Sequence, residues 1–222
     1  MPSRYDGHAD WYEQNIVPWS TAAAAPLLDR LAGPGPGRCL DLGCGTGVHL
    51  AGLAAAGWSV VGIDASADQL RLARQRARRV ATLVQGDATR LPFPASSFAL
   101  VVSAFTHTDV DDFAALAAEA GRVLAPDGRF VYVGLHPCFK GPMAEQPRPD
   151  GAQVVHAEYR QAGWRTSGPG TVQGGLTSRV GFRHLPLADL LNCVPGAGLR
   201  LTRVEEGGPG PLPDWLAFIA RR

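Results

Sequence analysis

The chain has 222 residues, a formal net charge of +1, 45% hydrophobic residues and 18% charged residues. This is the composition of a globular chain that can bury a large core in one domain. The near-neutral charge gives no electrostatic reason to expect nucleic acid or an anionic membrane as a partner. The four cysteines form no C-x-x-C pair, and neither a signal segment nor a long apolar stretch is found. We therefore expect a cytoplasmic protein without a zinc site or a disulfide framework.

Residues 1–35 are predicted to form a helical N-terminal segment that is rich in aromatic residues. Pro18 ends the first helix, because the residue before a proline avoids helical angles, and Pro26 suits the first turn of the second helix. The predicted ranges are Ala9–Ile16 and 21–32 for the helices and 33–37 for a stiff, helix-free connector.

The most informative stretch is 38–47, RCLDLGCGTG. An apolar strand runs into three glycines at alternate positions, and an alanine-rich helix pattern follows over 48–56. Glycine accepts backbone angles that side chains forbid, and it lets the backbone approach a ligand closely. A dinucleotide-binding turn has its third glycine one residue later, at a position that Val48 occupies here.

This stretch resembles the first motif of the class I S-adenosylmethionine (SAM) dependent methyltransferases, hydrophobic-acid-hydrophobic-G-x-G-x-G. The resemblance implies that the turn, including Cys44, holds the methionine end of SAM, and that Asp41 orients the turn and the amino group of the cofactor. From the residues alone, a glycine-rich turn that binds nothing stays open. The matching residues are Leu40, Asp41, Leu42, Gly43, Gly45 and Gly47.

Asp64 ends the next predicted strand, 58–63, and follows Gly43 by 21 residues. This is the interval expected between a nucleoside-binding turn and the acid that accepts hydrogen bonds from the ribose hydroxyls. SAM and NAD share that ribose, so Asp64 is consistent with both, and it can also cap the next predicted helix, 66–79. Ala65 is included in the predicted cofactor site.

A third strand, 80–85, leads to further predicted cofactor residues. The resemblance implies that Asp87 accepts a hydrogen bond from the adenine amino group and that Ala88 offers its backbone N–H to the ring, with Gly86 beside them. Residues 91–98 resemble the family's L-P-F-x-x-x-S-F segment. The matched segments together cover roughly residues 36–135.

The fourth strand, 98–104, is expected to end beside the first strand, where ligands bind in a doubly wound sheet. Ser103 is assigned to the cofactor site. His107 is the first candidate base, since a neutral imidazole suits proton removal near pH 7, although a histidine that only shapes the pocket is the alternative. His136, after a fifth strand over 129–134, is the second. The acids at 109–112 predict the start of a helix over 110–124 and not a metal site.

Residues 135–185 are too many for a plain connection and lie at the expected ligand face. We predict that this insertion forms the acceptor pocket and a lid, with a helix over 154–162. In related methyltransferases an N-terminal segment covers the SAM pocket, which makes Tyr5 or Tyr12 the predicted lid residue. The candidate lining residues of the insertion are His136, Phe139, Tyr159, Trp164, Phe182 and His184.

A helix over 186–195 and strands over 199–204 and 215–220 complete an α/β fold. The predicted domain, 36–222, is a Rossmann-like, doubly wound, seven-stranded sheet whose last strand is antiparallel. The expected activity is methyl transfer from SAM to a medium-sized, fairly apolar small molecule by a monomer or homodimer. The alternatives are a SAM-binding protein without transfer activity and a nicotinamide-dependent oxidoreductase. The absence of an (Asp/Asn)-Pro-Pro-aromatic motif argues against methylation of nucleic-acid amines.

Overall fold

The computed structural model describes residues 3–222, apart from the side chain of Ala23. Met1 and Pro2 of the predicted N-terminal segment lie outside the described residues. The strands are β1 (Arg38–Leu42), β2 (Ser59–Asp64), β3 (Ala81–Gln85), β4 (Phe98–Ala104), β5 (Leu124–Leu135), β6 (Gly163–Arg165), β7 (Phe182–His184), β8 (Arg200–Gly207) and β9 (Trp215–Arg221). The α-helices are α1 (Ala9–Asn15), α2 (Val17–Ala32), α3 (Leu50–Ala55), α4 (Ala67–Arg76), α5 (Phe113–Val123), α6 (Leu176–Val180) and α7 (Leu187–Gly196).

Seven strands form one sheet in the order β3-β2-β1-β4-β5-β9-β8. The first five are mutually parallel, whereas β9 is antiparallel to both of its neighbours. The predicted doubly wound sheet with an antiparallel last strand is therefore confirmed. The strand order reverses between β1 and β4, which is where such sheets bind ligands.

Side-chain alternation in the buried strands builds a core on each face of the sheet. Leu40 and Leu42 of β1 lie in the core that α5 and α7 cover. Cys39, one residue out of phase, lies in the opposite core with residues of α2, α3 and α4. Successive strand residues point to opposite faces, so one five-residue strand contributes to both cores.

Among the predicted element boundaries that are wrong, three have a clear local reason. Helix α2 begins four residues earlier than expected because Pro18 lies in its first turn, where its missing N–H costs no hydrogen bond; Pro26 is then inside the helix. Helix α5 begins only at Phe113, since Asp112 caps it by accepting from the Ala115 N–H at 3.0 Å. Strand β5 begins at Leu124 because Leu124 already pairs with Phe98.

The helix predicted over 154–162 is not formed. Val155 is extended and pairs with Ala144 in an isolated bridge. A short 3₁₀ turn, Ala157–Arg160, follows it and leads into β6, which pairs with β7 as a small separate antiparallel sheet of two strands. The β-branched valines favour the extended pairing over a helix. Within residues 3–222, no helix combines the length and apolar character that crossing a membrane requires.

Candidate functional site

A cavity of about 710 Å³ opens at the carboxyl ends of β1 to β4. Its wall is formed by the turn after β1, by the ends of β2 and β3, by the segment after β4 and by the first described residues of the chain. Eight of the predicted cofactor residues lie on this wall: Tyr12, Gly43, Gly45, Asp64, Ala65, Gly86, Asp87 and Ala88.

The turn after β1 requires glycine at Gly43. This residue has φ +69°, in the left-handed region, and a Cβ there would overlap the side-chain methyl group of Thr106. The N–H groups of Gly43 and Cys44 both donate to the Ile63 carbonyl, at 2.9 and 3.0 Å. The turn is thereby fixed over the end of β2 and presents bare backbone to the cavity.

Asp64 joins the turn to the next helix. Its Oδ2 accepts from the Gly45 N–H at 2.8 Å, and its Oδ1 accepts from the Ser66 N–H at 2.8 Å. Burial raises the pKa of Asp64, and these backbone donors act in the opposite direction. The helix cap is Ser66, whose Oγ accepts from the Gln69 N–H at 3.1 Å. A carboxylate can accept about four hydrogen bonds, so Asp64 keeps capacity toward two ligand hydroxyls.

The far end of the cavity has both polar and small apolar groups. Asp87 is exposed, and its Oδ1 accepts from the backbone N–H and the hydroxyl of Thr89 at 2.8 and 2.7 Å. Ala65, Ala88 and Val110 supply apolar wall beside it. A planar heterocycle with an exocyclic amine suits this combination of surfaces.

Four predicted cofactor residues do not lie on the wall of this cavity. Cys44 lies on a small neighbouring cavity of about 40 Å³. Gly47 allows close packing, because a Cβ there would lie 3.1 Å from Ala73 Cβ. Ser103 is buried and ties β4 to β1, donating to the Leu42 carbonyl at 3.3 Å.

The fourth, Asp41, is 1% exposed in the middle of the sheet. Burial, followed by the charge of Asp64, raises its pKa to about 7. Its Oδ2 has no hydrogen-bond partner within residues 3–222. A buried carboxyl oxygen without a partner costs stability. A hydrogen bond to a bound ligand, or to a water molecule ordered by it, would remove this cost.

The structure places neither predicted base on the cavity wall. His107 is 1% exposed, packs against Phe113 and Phe182, and shares a hydrogen bond between its Nδ1 and the Tyr132 hydroxyl. Burial, with a contribution from the charge of His184, lowers the pKa of His107 to about 3. The physical reason is that β4 is followed by a tight 3₁₀ turn, Thr106–Thr108, which directs the imidazole into the core.

His136 is also buried, and both of its ring nitrogens have partners. Nδ1 accepts from the Cys138 N–H at 3.2 Å, and Nε2 lies 2.6 Å from Glu206 Oε1. Its position after β5 is as predicted, but β9 lies next to β5, and the His136 backbone N–H donates to the Asp214 carbonyl at 2.8 Å. The imidazole therefore braces the sheet edge away from the β1/β4 cavity.

The first described residues cross the mouth of the cavity. The Tyr5 hydroxyl donates to Asp109 Oδ1 at 2.9 Å, and the Ser66 hydroxyl donates to Asp6 Oδ1 at 2.6 Å. Arg4 pairs with Asp111 at 3.0 Å and stacks on Trp164, 3.8 Å from the ring centroid. The N-terminal segment is thus tied to both rims of the cavity, with Trp164 of the insertion touching it from outside.

Sequence reasoning missed several residues on the cavity wall. Gln69 is buried, and its Oε1 has no partner among the described residues. A polar side chain on the inward face of an otherwise regular helix was the available signal. Asp109 was interpreted as part of a helix start. The wall residues that the prediction assigned neither to the cofactor site nor to the lid are Ser3, Arg4, Gln69, Gln85, Thr89, Ala104, Phe105, Thr106, Asp109, Val110, Asp111 and Asp112.

The wall carries five carboxyl groups, and among its described residues Arg4 is the one cationic side chain. Such a wall favours a positively charged ligand and disfavours a pyrophosphate. SAM carries a sulfonium and an ammonium group, whereas NAD carries two phosphates. The charge, the free capacity of Asp64 and the unpartnered Asp41 oxygen all fit SAM, and the volume lies in the usual range for small-ligand sites.

Comparisons with known proteins agree with this geometry. Residues 40–132 match the model of a family described as a methyltransferase domain. A demethylmenaquinone methyltransferase of Tropheryma whipplei (strain Twist) is 37% identical over 113 residues, which are 49% of this chain and 45% of that protein. A nocamycin O-methyltransferase of Saccharothrix syringae is 35% identical over 138 residues, which are 59% of this chain and 49% of that protein. This chain thus spans about half the length of the curated relatives it matches.

A solved structure covers more of the chain. An S-adenosylmethionine dependent methyltransferase from Mesorhizobium loti superposes with a TM-score of 0.74 at 26% identity, covering 90% of this chain and 98% of that one. The family match contains the glycine-rich turn and Asp64, both of which line the cavity. Over its matched domain, residues 40–132, and in its sheet order, the chain is similar to SAM-dependent methyltransferases, and its cavity fits the cofactor SAM.

Proposed function

We propose that this protein transfers a methyl group from SAM to a small-molecule acceptor. The observation that carries the proposal is the acid-walled cavity at the β1/β4 reversal point, which joins a glycine turn to Asp64. The names of the relatives support a small-molecule acceptor, since one is a demethylmenaquinone methyltransferase and another a nocamycin O-methyltransferase.

In this proposal each part of the wall holds one part of the cofactor. The backbone of Gly43–Gly47, with Cys44 and the buried Asp41 behind it, holds the methionine end. Asp64 accepts hydrogen bonds from the ribose hydroxyls. Gly86, Asp87 and Ala88 border the adenine, with Ala65 on the opposite side. Ser103 keeps the end of β4 in register with β1.

Bound SAM would supply an activated methyl group on a positively charged sulfur. The protein's main task is then to hold the acceptor in line and to exclude water, since alignment supplies a large part of such rate enhancements. Residues 3–12, with Tyr5 and Tyr12 on the cavity wall, act as the lid over the loaded site. The insertion, 135–185, completes the acceptor side from outside this lid.

An aromatic group beside the cavity indicates the acceptor's character. Trp19, Phe105 and Trp215 pack together, with ring centroids 4.8 to 6.3 Å apart, and Trp19 is 49% exposed. Phe105 also lies on the cavity wall. An apolar, ring-containing acceptor would gain contact area on these side chains. We keep as predictions that the protein is a cytoplasmic monomer or homodimer and that it binds no nucleic acid. Catalytic roles for His107 and His136 also stay predictions.

The test is calorimetric titration of the purified protein with SAM, S-adenosylhomocysteine and NADH. We expect micromolar binding of the first two and none of NADH. Methyl transfer is then measured as S-adenosylhomocysteine formation with a dihydroxynaphthalene and with a substituted phenol as probe acceptors. Binding of NADH alone contradicts the proposal, while SAM binding without transfer to any acceptor favours a non-catalytic SAM-binding protein.

A further inference from the structure

Asp109 lies on the cavity wall directly after the 3₁₀ turn that follows β4. Two hydrogen bonds to the Thr106 carbonyl fix its backbone, one from its own N–H at 3.0 Å and one from the Val110 N–H at 3.2 Å. The Thr106 hydroxyl is in turn bonded to Ser103 in β4. A rigid strand end therefore positions this carboxyl group beside the point where the sheet order reverses.

The Tyr5 hydroxyl donates to Asp109 Oδ1 at 2.9 Å, which leaves the carboxylate capacity for further hydrogen bonds. Enclosure by protein atoms raises the pKa of Asp109 to about 7. Hydrogen bonds from Tyr5 and Thr108 lower it, the charge of Asp64 raises it, and Arg4 lowers it. The titratable and charged groups that face Asp109 are Arg4, Tyr5 and Tyr12 from the N-terminal segment, Asp64 from the end of β2, Tyr132 from β5, and its neighbours Asp111 and Asp112.

The other acids of the wall have different surroundings. Asp64 is engaged by two backbone N–H groups, and Asp87 is exposed beyond the end of β3. Neither candidate histidine reaches the cavity wall. Among the described residues of the wall, Asp109 combines enclosure, a fixed backbone and a position at the end of β4.

We propose that Asp109 is the catalytic base, and that its carboxylate accepts the proton which the acceptor loses on methylation. This inference rests on the proposed function. The acceptor's X–H bond breaks and its proton passes to a carboxylate oxygen of Asp109. The electron pair left on X forms the new X–CH₃ bond, while the pair of the broken S–CH₃ bond remains on sulfur as the neutral thioether. A second proton transfer, from Asp109 to water, restores the carboxylate.

The primary test compares wild type with Asp109→Asn, which keeps the shape and removes the base. Both probe acceptors named above are used at saturating SAM between pH 5.5 and 9. We expect kcat to fall about 100-fold or more, as is typical for loss of a general base, while S-adenosylhomocysteine affinity stays within about threefold because binding does not use the proton transfer. Asp127→Asn, in an exposed turn of β5 away from the cavity, is the matched control and keeps wild-type kcat, since asparagine tolerates the left-handed backbone of this position.

The pH profile separates a base from a merely structural carboxyl group. Wild-type kcat/KM for the acceptor is expected to fall toward acid pH with a slope of one as Asp109 is protonated, whereas Asp109→Asn has no such limb. Tyr5→Phe removes a donor that stabilises the carboxylate, so it moves the limb to higher pH. A structural role predicts no displacement of the limb.

A measurement without an acceptor decides the inference independently. Carboxyl-detected NMR of the protein with S-adenosylhomocysteine bound follows the titration of Asp109, assigned by comparison with Asp109→Asn. Titration between about pH 4 and pH 8 supports the proposal, because the group is then a carboxylate at working pH. A carboxyl group that is still protonated at about pH 9 overturns it, as does full kcat in Asp109→Asn. Failure of wild type to bind SAM would instead defeat the proposed function.

Discussion

The cofactor-binding region, residues 38–109, and the insertion, residues 135–185, are organised in opposite ways. In the cofactor-binding region, most of the predicted ligand residues come together on one cavity wall. None of the described residues of the insertion reaches that wall, although six of its aromatic and histidine side chains were candidates. A position at a strand end therefore predicts where in the fold a residue lies, whereas an aromatic side chain in a loop does not predict its own position.

The two regions differ in the role of their polar side chains. Parallel strands converge at one edge of the sheet, so the residues after β1, β2 and β3 meet without further contacts. In the insertion, the candidate side chains form hydrogen bonds that stabilise the local structure. The His184 ring bonds the Tyr159 carbonyl at 2.7 Å, and the Tyr159 hydroxyl accepts from the Leu187 N–H at 2.8 Å.

Gly43→Ala should show the largest effect on cofactor binding, and it tests how strictly the turn after β1 requires glycine. The new Cβ would meet Thr106, and the left-handed backbone itself costs about 1–2 kcal/mol for a non-glycine residue. We expect S-adenosylhomocysteine affinity to fall by about 100-fold or more, because 1.4 kcal/mol is already tenfold. Gly207→Ala in β8 is the control, because an added Cβ there would have no neighbouring atom within 4 Å. An equal loss of affinity in this control would show that the effect is not specific to the turn.

Asp64→Ala should follow in size. It removes the acceptor of the Gly45 N–H and, in the proposed complex, of the ribose hydroxyls. Losing hydrogen bonds to a charged group costs about 1.5–3 kcal/mol, so calorimetry should show a weakening of about 10- to 100-fold. Unchanged SAM affinity would show that the ribose lies elsewhere. Asp150→Ala serves as the matched carboxyl control.

Asp41→Asn should separate stability from binding. The folded pKa of about 7 lies above the ordinary 3.8, so the folded state holds this proton more tightly than the unfolded chain. The associated stability is present below pH 4 and is lost as the pH rises through 7, by roughly 4 kcal/mol. The variant lacks this loss, so its Tm relative to wild type should rise by roughly 10 °C between pH 4 and pH 8.5.

The same variant should bind SAM more weakly, because the proposed orientation of the cofactor's amino group needs the charge. Calorimetry at pH 8 measures this, and thermal unfolding at both pH values measures stability. A Tm difference that does not depend on pH would contradict the titration of Asp41.

Trp164→Ala should give the smallest effect and tests the insertion side. It removes the stacking of Arg4 and a hydrogen bond to Asp111 at exposed positions. Exposed cation–π contacts contribute about 0.5–1 kcal/mol, so S-adenosylhomocysteine affinity should change less than about fivefold. Tryptic cleavage after Arg4 should accelerate, and Trp164→Phe should be intermediate. A loss as large as that of Gly43→Ala would show that the insertion contributes as much to cofactor binding as the glycine turn does.

Much of the structure of the cofactor-binding region could be predicted from local sequence signals. The strand 38–42 has the bounds that its apolar pattern indicated, and Gly43 has the left-handed angle that its motif required. Boundaries failed where a proline or a cap shifted a helix start, as at Pro18 and Asp112. Such shifts depend on competition between neighbouring signals, which one pattern alone does not resolve.

The parallel sheet, the glycine turn and the acids at strand ends can be derived from the sequence alone, because they follow from periodicity and backbone sterics over a few residues. Which polar groups face the cavity depends on the tertiary fold. His107 turns into the core against Tyr132, whereas Asp109, two residues later, remains on the wall beneath Tyr5. That choice depends on packing between segments about 100 residues apart in the chain, and no local pattern contains it.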